Sequence, residues 1–331
     1  MNARQRFLET MRFGRPDHVP YVDQGVRQDT LDHWYQQGFP RGRTVADVFD
    51  LDYWEVFGVR EEVPLDLYPR PDFTGRLQTR ADVERWKRSH DATRPRRYPD
   101  DWPRHVRRWA RRDHPLGIRV CRGFFLSLMV GDWESMTDVL YMMADAPDNL
   151  TEMTAFLADF LVELLTPALE AVQFDYALFD EPIASNTAPV VGSDDFRYFM
   201  QPLYRRLCGL LDAHSVEVHI FSSHGHVQEL IPIVLEAGIN TLWTGNTGPA
   251  GLDYVALRQE YGHNLRLIGG IDVQALEAGP AAIEAEVMQV VPPLLEQGGY
   301  VPMVDGRVRR YVPYENYRMY REVVRNLAER G

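Results

Sequence analysis

Short apolar runs of strand type alternate with helical patterns along almost the whole chain. Eight runs have the length and the β-branched or aromatic content of strands. They cover residues 19–23, 53–59, 117–121, 175–180, 216–221, 239–244, 266–269 and 300–305. Helical spacing of apolar residues lies between most of them, for example in 136–143, 155–165, 196–211 and 282–295. This alternation predicts an α/β fold with a parallel sheet, and eight units predict a (β/α)₈ TIM barrel.

The domain organisation follows from the same pattern. We expect residues 1–331 to form one domain with an N-terminal helical extension. Residues 64–113 carry six prolines and many arginines, and they are expected to form a peripheral loop and helical insertion. The chain starts without a signal-like apolar run, and no stretch approaches the length of a membrane span, which predicts a cytoplasmic protein.

Charge and residue usage exclude several function classes. The net charge of −12 argues against nucleic acid as a partner, and the basic run 104–112 is expected to be a solvated helix face. Lys87 is the only lysine, so a P-loop is excluded and Schiff-base chemistry is not favoured. Cys121 and Cys208 are the only cysteines, which excludes a disulfide framework.

The strongest candidate for a site is the segment 216–226, V-E-V-H-I-F-S-S-H-G-H. It begins as a strand, ends in a small polar turn and is followed at once by a helical pattern. Chemistry in α/β enzymes is found at the carboxyl ends of strands. This end carries Ser222, Ser223, His224 and His226, whereas His219 lies within the strand and is expected to be a buried core histidine.

In a barrel the other strand ends would reach the same rim. They carry further polar or aromatic residues: Asp23, Arg27, Arg122, Asp180, Glu181, Trp243, Asn246, Asp272, Asp305 and Arg307. Two interpretations stay open. Glu181, His224 and Asp305 are catalytic candidates in both, either as ligands of a divalent metal or as acid–base groups without one.

Substrate binding is assigned to a second set at the same strand ends. Arginines there would clamp substrate carboxylates. The set is Arg27, Arg122, Trp243, His226, Asp272 and Arg307. For Asp272, which precedes a helical pattern, capping of that helix is the alternative.

Several motifs along the chain resemble those of the uroporphyrinogen decarboxylase superfamily, which includes cobalamin-linked methyltransferases. R-F-L-E-T-M-R-F-G-R-P-D-H-V-P opens the series at residue 6, and D-T-L-D-H-W-Y-Q-Q-G-F-P follows it. The later matches are residues 194–207, 224–240, 267–272 and 313–317, in the order of the family. The resemblance implies a (β/α)₈ barrel with its site at the carboxyl end.

The sequence departs from both branches of this superfamily. The decarboxylase signature M-R-Q-A-G-R-Y-L-P, whose arginines hold porphyrinogen carboxylates, is replaced by G-V-R-Q-D-T-L-D, in which only Arg27 corresponds. The methyltransferase branch has a zinc site built from H-x-C-G and a later cysteine. Here the first motif reads Ser222-Ser223-His224-Gly225 and the last strand ends in Asp305-Gly306. The resemblance is closer to the methyltransferase-like branch but lacks its zinc cysteines.

Three functions remain open from the sequence. The leading hypothesis is metal-assisted methyl transfer on a small anionic or methylated substrate, with zinc as the metal. Cobalamin would then be supplied by a corrinoid partner protein, because the chain has no D-x-H-x-x-G signature. The second is cofactor-free decarboxylation of an anionic, porphyrinogen-like substrate, and the third is a non-catalytic tetrapyrrole-binding barrel. We expect neither nucleic acid nor membrane as a partner, and a homodimer is compatible with each function.

Overall fold

A computed structural model describes residues 1–58, 76–93 and 97–329. Within these ranges seven strands form one all-parallel sheet, and their order in the sheet is their order in the chain. The strands are β1 (Glu55–Phe57), β2 (Leu116–Cys121), β3 (Tyr176–Asp180), β4 (Val218–His224), β5 (Thr241–Gly245), β6 (Arg266–Ile271) and β7 (Tyr300–Val304). The predicted α/β architecture with a parallel sheet is therefore confirmed.

Helices connect the strands, as parallel pairing requires. Before β1 lie α1 (Ala3–Met11), α2 (Gln28–Trp34) and α3 (Val45–Phe49). Between β1 and β4 lie α4 (Arg80–Ser89), α5 (Trp102–Trp109), α6 (Phe124–Ser127), α7 (Trp133–Asp145), α8 (Pro147–Ala171), α9 (Ser193–Phe199) and α10 (Gln201–Ala213). The remainder are α11 (Ile231–Glu236), α12 (Thr247–Ala250), α13 (Tyr254–Tyr261), α14 (Val273–Ala278), α15 (Pro280–Gln297) and α16 (Tyr314–Ala328). None of the helices within the described ranges is long and apolar enough to cross a membrane.

The sheet curls around a small apolar group that we call the inner cluster. Its buried members are Phe7, Met11, Val22, Tyr176, Leu178, Val218, Ile220, Ile268, Val301 and Met303. Trp54, directly before β1, and Trp243 on β5 are four strands apart, which in a flat sheet would be about 19 Å. Their rings lie 5.1 Å apart, so the sheet curls. We call the face that carries the inner cluster the inner face.

The outer face of the sheet packs against the helices. Ala177, Phe179 and Phe221 alternate with members of the inner cluster and belong to a second, larger core that includes α8 and α10. Helix α8 turns a stripe of apolar residues at helical spacing towards this core, among them Leu150, Leu157 and Leu161. The two cores on opposite faces are the layers expected of a barrel-like α/β fold.

The first predicted strand, residues 19–23, is not one of the seven. Val22 is buried in the inner cluster, and the amide of Asp52 donates to the carbonyl of Tyr21 at 2.7 Å. Further on, Val26 makes an isolated parallel bridge to Val308. The segment thus lies between the chain before β1 and the chain after β7. It contacts both without a continuous ladder, so a closed eight-stranded barrel stays a prediction.

The hydrogen-bond donors of this segment explain the missing ladder. Pro20 has no amide to donate. The amide of Tyr21 donates to the carboxylate of Asp52 at 2.8 Å, and the amide of Gly25 donates to the carboxylate of Asp23 at 2.9 Å. Side-chain carboxylates therefore take donors that a neighbouring strand would use.

Helices α4 and α5 belong to the segment predicted to be a peripheral insertion. Trp86 and Trp109 are fully buried, and the ring of Trp109 lies 5.4 Å from that of Phe57 on β1. These contacts tie α5 to the outer face of the sheet. The proline-rich part around Pro64, Pro69 and Pro71 lies outside the described residues, and the division of the chain into a domain and an insertion stays a prediction.

Candidate functional site

Polar residues replace apolar ones on the inner face as it reaches the carboxyl end of the sheet. On β3 the inner-cluster members Tyr176 and Leu178 are followed, two positions on, by Asp180. Strand alternation puts these three on one face. The carboxylate of Asp180 pairs with Arg119 Nη2 at 2.9 Å, and the two side chains keep 31% and 17% of their exposure. At the carboxyl end of the sheet, the inner face therefore carries an ion pair that is partly exposed to solvent.

Strand β4 continues this polar layer. Val218 and Ile220 belong to the inner cluster, so Ser222 and His224 follow on the same face. Ser222 lies opposite Asp180 in the register of the two strands. His224 ends the strand and is exposed. The predicted candidate His224 thus lies at the carboxyl end, on the face that also carries the ion pair.

Arg119 was not among the residues predicted from the sequence to lie at the site. It lies within β2, three positions before Arg122, in an otherwise apolar strand. Its Nε atom is buried and forms no hydrogen bond within the described part of the chain. A signal was present, because a charged residue inside an apolar strand must have a buried partner or face a polar cavity.

His224 has little room to move towards β5. Its register partner there is Gly245. A Cβ atom at Gly245 would lie 2.4 Å from His224 Nδ1 and 2.7 Å from the backbone oxygen of Asp305. Both approaches are far below van der Waals contact. The imidazole therefore packs over a bare backbone, beside the end of β7.

Glu181 faces away from the inner face. Its side chain is buried, and its two carboxylate oxygens accept the amide of Phe124 at 3.0 and 2.9 Å. The hydroxyl of Tyr204 on α10 donates to the same carboxylate. Burial raises the pKa of Glu181 to about 7, against the opposing effect of these hydrogen bonds.

Asp305 is also fully engaged by neighbouring loops. One of its oxygens accepts the amide and the hydroxyl of Thr247 at 2.6 and 2.9 Å. The other accepts the amide of Val273 at 3.0 Å. Burial raises the pKa of the Asp305 carboxyl above its usual value. The side chain thus connects the loops after β5 and β6 to the end of β7.

The predicted metal ligands do not fit a metal in this arrangement. The carboxylates of Glu181 and Asp305 are occupied by backbone amides and hydroxyls, and only His224 is exposed. Across the ranges that the structure describes, no three His, Cys, Asp or Glu side chains are placed to hold a metal ion. A zinc site from these three residues remains a prediction that their contacts do not support.

The three predicted arginine clamps all follow strands or the extended segment and are exposed. Arg122 follows β2, Arg307 follows β7, and Arg27 precedes α2 with its Nε 3.8 Å from Asp29. All three lie at the rim, by which we mean the loops at the carboxyl ends of the strands. Their predicted contact with substrate stays a prediction.

The other predicted substrate residues have different surroundings. Trp243 lies on β5, and its ring is 5.1 Å from that of Trp54, at the edge of the inner cluster. His226 Nδ1 donates a hydrogen bond to the carbonyl oxygen of Ala250 at 3.0 Å. Asp272 caps α14 by accepting the amide of Gln274, which is the alternative that its position in the sequence left open. Trp243 alone of these three belongs to the inner face.

A cavity of about 680 Å³ lies at the opposite end of the molecule, near the amino end of β7. It is bounded by the ends of α1, α15 and α16, beside the residues that lead into β7. Since chemistry in barrels of this type is found at the carboxyl ends of the strands, we place the candidate site at the rim and not in this cavity.

Comparisons with known proteins agree with the fold. The family model described as Uroporphyrinogen decarboxylase (URO-D) matches residues 57–327. A uroporphyrinogen decarboxylase from Mannheimia succiniciproducens is 23% identical over 206 residues, which span 60% of this chain and about half (54%) of that relative. The one from Citrobacter koseri is 25% identical over 288 residues, 83% of this chain and 77% of the relative. Among solved structures, a methyltransferase from Methanosarcina mazei superposes with a TM-score of 0.60 at 16% identity, covering 98% of both chains, a likeness of fold.

Proposed function

Because this chain belongs to the uroporphyrinogen decarboxylase family, we propose that its rim site decarboxylates an anionic substrate by acid–base chemistry. The chain is an enzyme of this superfamily, of decarboxylase or methyltransferase type. The observation that carries the proposal is the exposed imidazole of His224 on the face that also holds the Arg119–Asp180 ion pair. This site offers a proton donor and a cationic group without a metal.

The proposed reaction needs only these groups. The bond between the carboxylate carbon and the substrate carbon breaks, CO₂ leaves, and the electron pair stays on the substrate carbon. Protonated His224 then donates its proton to that carbon and is reprotonated from solvent. Its exposure at the end of β4 gives the solvent access that reprotonation needs.

Arginine supplies the binding part of the proposal. Arg27, Arg122 and Arg307 are exposed at the rim, where a planar guanidinium can bind a carboxylate through two hydrogen bonds. They would hold carboxylates that do not react, since a clamp on the leaving carboxylate would oppose its loss of charge. The substrate class is therefore a molecule with more than one carboxylate.

The test is release of CO₂ by the purified full chain from uroporphyrinogen and from smaller di- and tricarboxylic acids. We expect release from at least one of them, and we expect His224→Ala to reduce it at least a hundredfold, the usual contribution of a general acid. His214→Ala, at the far end of α10, is the matched control and should keep full activity. Full activity of His224→Ala would refute the mechanism.

Methyl transfer with cobalamin supplied by a corrinoid partner protein is the second candidate. It is favoured by the position of His224, which stands where the methyltransferase branch has its first zinc cysteine. Activity before and after removal of metal distinguishes the two functions. Dialysis against a chelator should leave acid–base decarboxylation unchanged, whereas metal-assisted transfer should be lost and should return with added zinc, together with the spectrum of methylcobalamin.

We also infer that residues 19–26 complete the ring of strands. The support is burial of Val22 in the inner cluster, with hydrogen bonds to the chain before β1 and the bridge to Val308 after β7. A crystal structure in which this segment leaves the gap between β1 and β7 open would show the closed (β/α)₈ barrel to be wrong.

A further inference from the structure

We propose that Glu181 is a positioning residue whose buried carboxylate fixes the turn Gly123–Phe124 and, through it, α6 and Arg122 at the rim. The proposal rests on the proposed function only in that Arg122 binds the substrate anion. The positioning itself is independent of any reaction.

The first support is the pair of contacts that the carboxylate makes. One amide, that of Phe124, reaches both oxygens of Glu181. The residue is 1% exposed, and a hydroxyl from α10 supplies its other hydrogen bond. Helix α6 begins at Phe124 and has no side-chain cap of its own. The Glu181 carboxylate accepts the first amide of the helix and so fixes its start.

The second support is the fit of the turn. Gly123 has a φ of +86°, in the region that favours glycine. A Cβ atom there would lie 2.6 Å from Glu181 Oε1 and 2.9 Å from the backbone oxygen of Asp180. The backbone after β2 therefore lies directly against the Glu181 carboxylate, with no space between them.

The third support is the rigidity of Glu181 itself. Its amide donates to the carbonyl of Ser222 at 2.7 Å, and its carbonyl accepts the hydroxyl of Ser223 at 2.6 Å. The residue is thus fixed to β4 on one side and to Tyr204 of α10 on the other. A loop bonded to this residue takes its position from the sheet.

Glu181 and the residues of the candidate site lie on opposite faces of the sheet. Glu181 has the same parity along the chain as Phe179, which packs in the outer core with its ring 5.3 Å from that of Tyr204. Asp180, one position earlier, faces inward and pairs with Arg119. A substrate at the inner face would contact Asp180 and not the carboxylate of Glu181.

The test is hydrogen–deuterium exchange of the Phe124 amide in the full chain, which needs no substrate. Glu181→Ala should accelerate exchange there by about ten- to a hundredfold, because it leaves the buried amide of Phe124 without its acceptor. Glu181→Gln keeps an acceptor oxygen and should restore most of the protection. Tyr204→Phe removes one hydroxyl from the same carboxylate and should have a smaller effect of the same sign.

Glu286→Ala is the matched control. Glu286 is a partly buried glutamate that also accepts a backbone amide, that of Asp272, but it lies on α15. It should leave exchange in residues 122–128 unchanged. Unchanged exchange in Glu181→Ala, or equal acceleration in Glu181→Gln and Glu181→Ala, would overturn the proposal.

Turnover distinguishes positioning from catalysis on any substrate found by the CO₂ assay. Loss of positioning in Glu181→Ala should raise KM about tenfold or more and change kcat less, and Glu181→Gln should recover the KM. A kcat loss in Glu181→Gln as large as that of His224→Ala would make Glu181 catalytic and refute the proposal. Normal exchange effects with no decarboxylation would instead reject the proposed function alone.

Discussion

At the residue scale, the ion pair of Arg119 and Asp180 places two charged, largely buried side chains on the inner face of the sheet. We expect Arg119→Met to lower the free energy of unfolding by about 1–3 kcal/mol, because it leaves the half-buried carboxylate of Asp180 without its partner. Chemical denaturation measures the change. The double variant Arg119→Met/Asp180→Asn should recover part of the loss.

The control for this variant is an exposed ion pair. Arg197 pairs with Glu236 on the surface, with both side chains close to half exposed. Arg197→Met should change the free energy of unfolding by no more than about 1 kcal/mol. Equal effects of Arg119→Met and Arg197→Met would mean that the inner pair is solvated like a surface pair.

Gly245 is the second informative residue. A methyl group in Gly245→Ala would collide with His224 Nδ1 and the backbone oxygen of Asp305, so we expect a loss of about 1–3 kcal/mol in stability and a displaced imidazole. Denaturation and the NMR shifts of the His224 ring measure the two effects. Gly209→Ala, on α10 with open space around it, should be neutral or stabilising by up to about 1 kcal/mol.

Glu181 predicts a pH dependence with a definite sign. Its pKa in the folded chain is about 7, above the ordinary 4.5, so the folded state binds the proton more tightly than the unfolded state. Its contribution to stability is therefore fully present at low pH and is lost as the pH rises from about 4.5 to about 7. The free energy of unfolding of the wild type minus that of Glu181→Gln should fall by roughly 3 kcal/mol across this window. A difference that is flat with pH would contradict the raised pKa.

At the scale of elements, two buried carboxylates hold the rim loops to the sheet. Glu181 binds the loop after β2, and Asp305 binds the loops after β5 and β6. These were the acidic residues predicted to be metal ligands. Their contacts explain why acidic residues can recur at strand ends without forming one cluster, because each satisfies the backbone amides that begin a neighbouring loop.

Asp305 gives the test at this scale. Asp305→Ala leaves the amide and hydroxyl of Thr247 and the amide of Val273 without their acceptor, so we expect a loss on the order of 3 kcal/mol, and Asp305→Asn should lose less. Denaturation measures both. Asp272→Ala, which removes only a helix cap, should cost about 1 kcal/mol. A loss in Asp305→Ala no larger than in Asp272→Ala would show that the loops do not depend on it.

At the scale of the whole molecule, α1 closes the amino end of the curled sheet. Phe7 is buried in the inner cluster with its ring 5.4 Å from that of Tyr176. We expect Phe7→Ala to lower the free energy of unfolding by about 3–5 kcal/mol through the cavity it creates. Met288→Ala, half exposed on α15, should change it by about 0.5 kcal/mol or less. Similar losses in both variants would mean that α1 does not contribute to the core.

The sequence by itself determined the strands after the first, their parallel arrangement and the place of His224. These properties depend on local signals, since apolar runs and the turns that follow them can be recognised from neighbouring residues. The strand predicted at 53–59 was found as the shorter β1. The run 19–23 forms no continuous ladder, because Pro20 has no amide to donate and the amide of Tyr21 donates to the carboxylate of Asp52. The missing ladder thus depends partly on Asp52, 31 residues away in the sequence.

Only the tertiary structure decided which side chains form the site. Phe124 and Glu181 are 57 positions apart, and Thr247 and Asp305 are 58 apart, so neither hydrogen bond could be inferred from local pattern. Arg119 and Asp180 meet because the register of the neighbouring strands β2 and β3 puts Arg119 opposite Leu178, two residues before Asp180 on the same face. Glu181, one residue further, turns outward to α10. The physical reason is the two-residue period of a strand. It reverses the direction of a side chain at every step, and only the register and curvature of the assembled sheet determine which direction is inward.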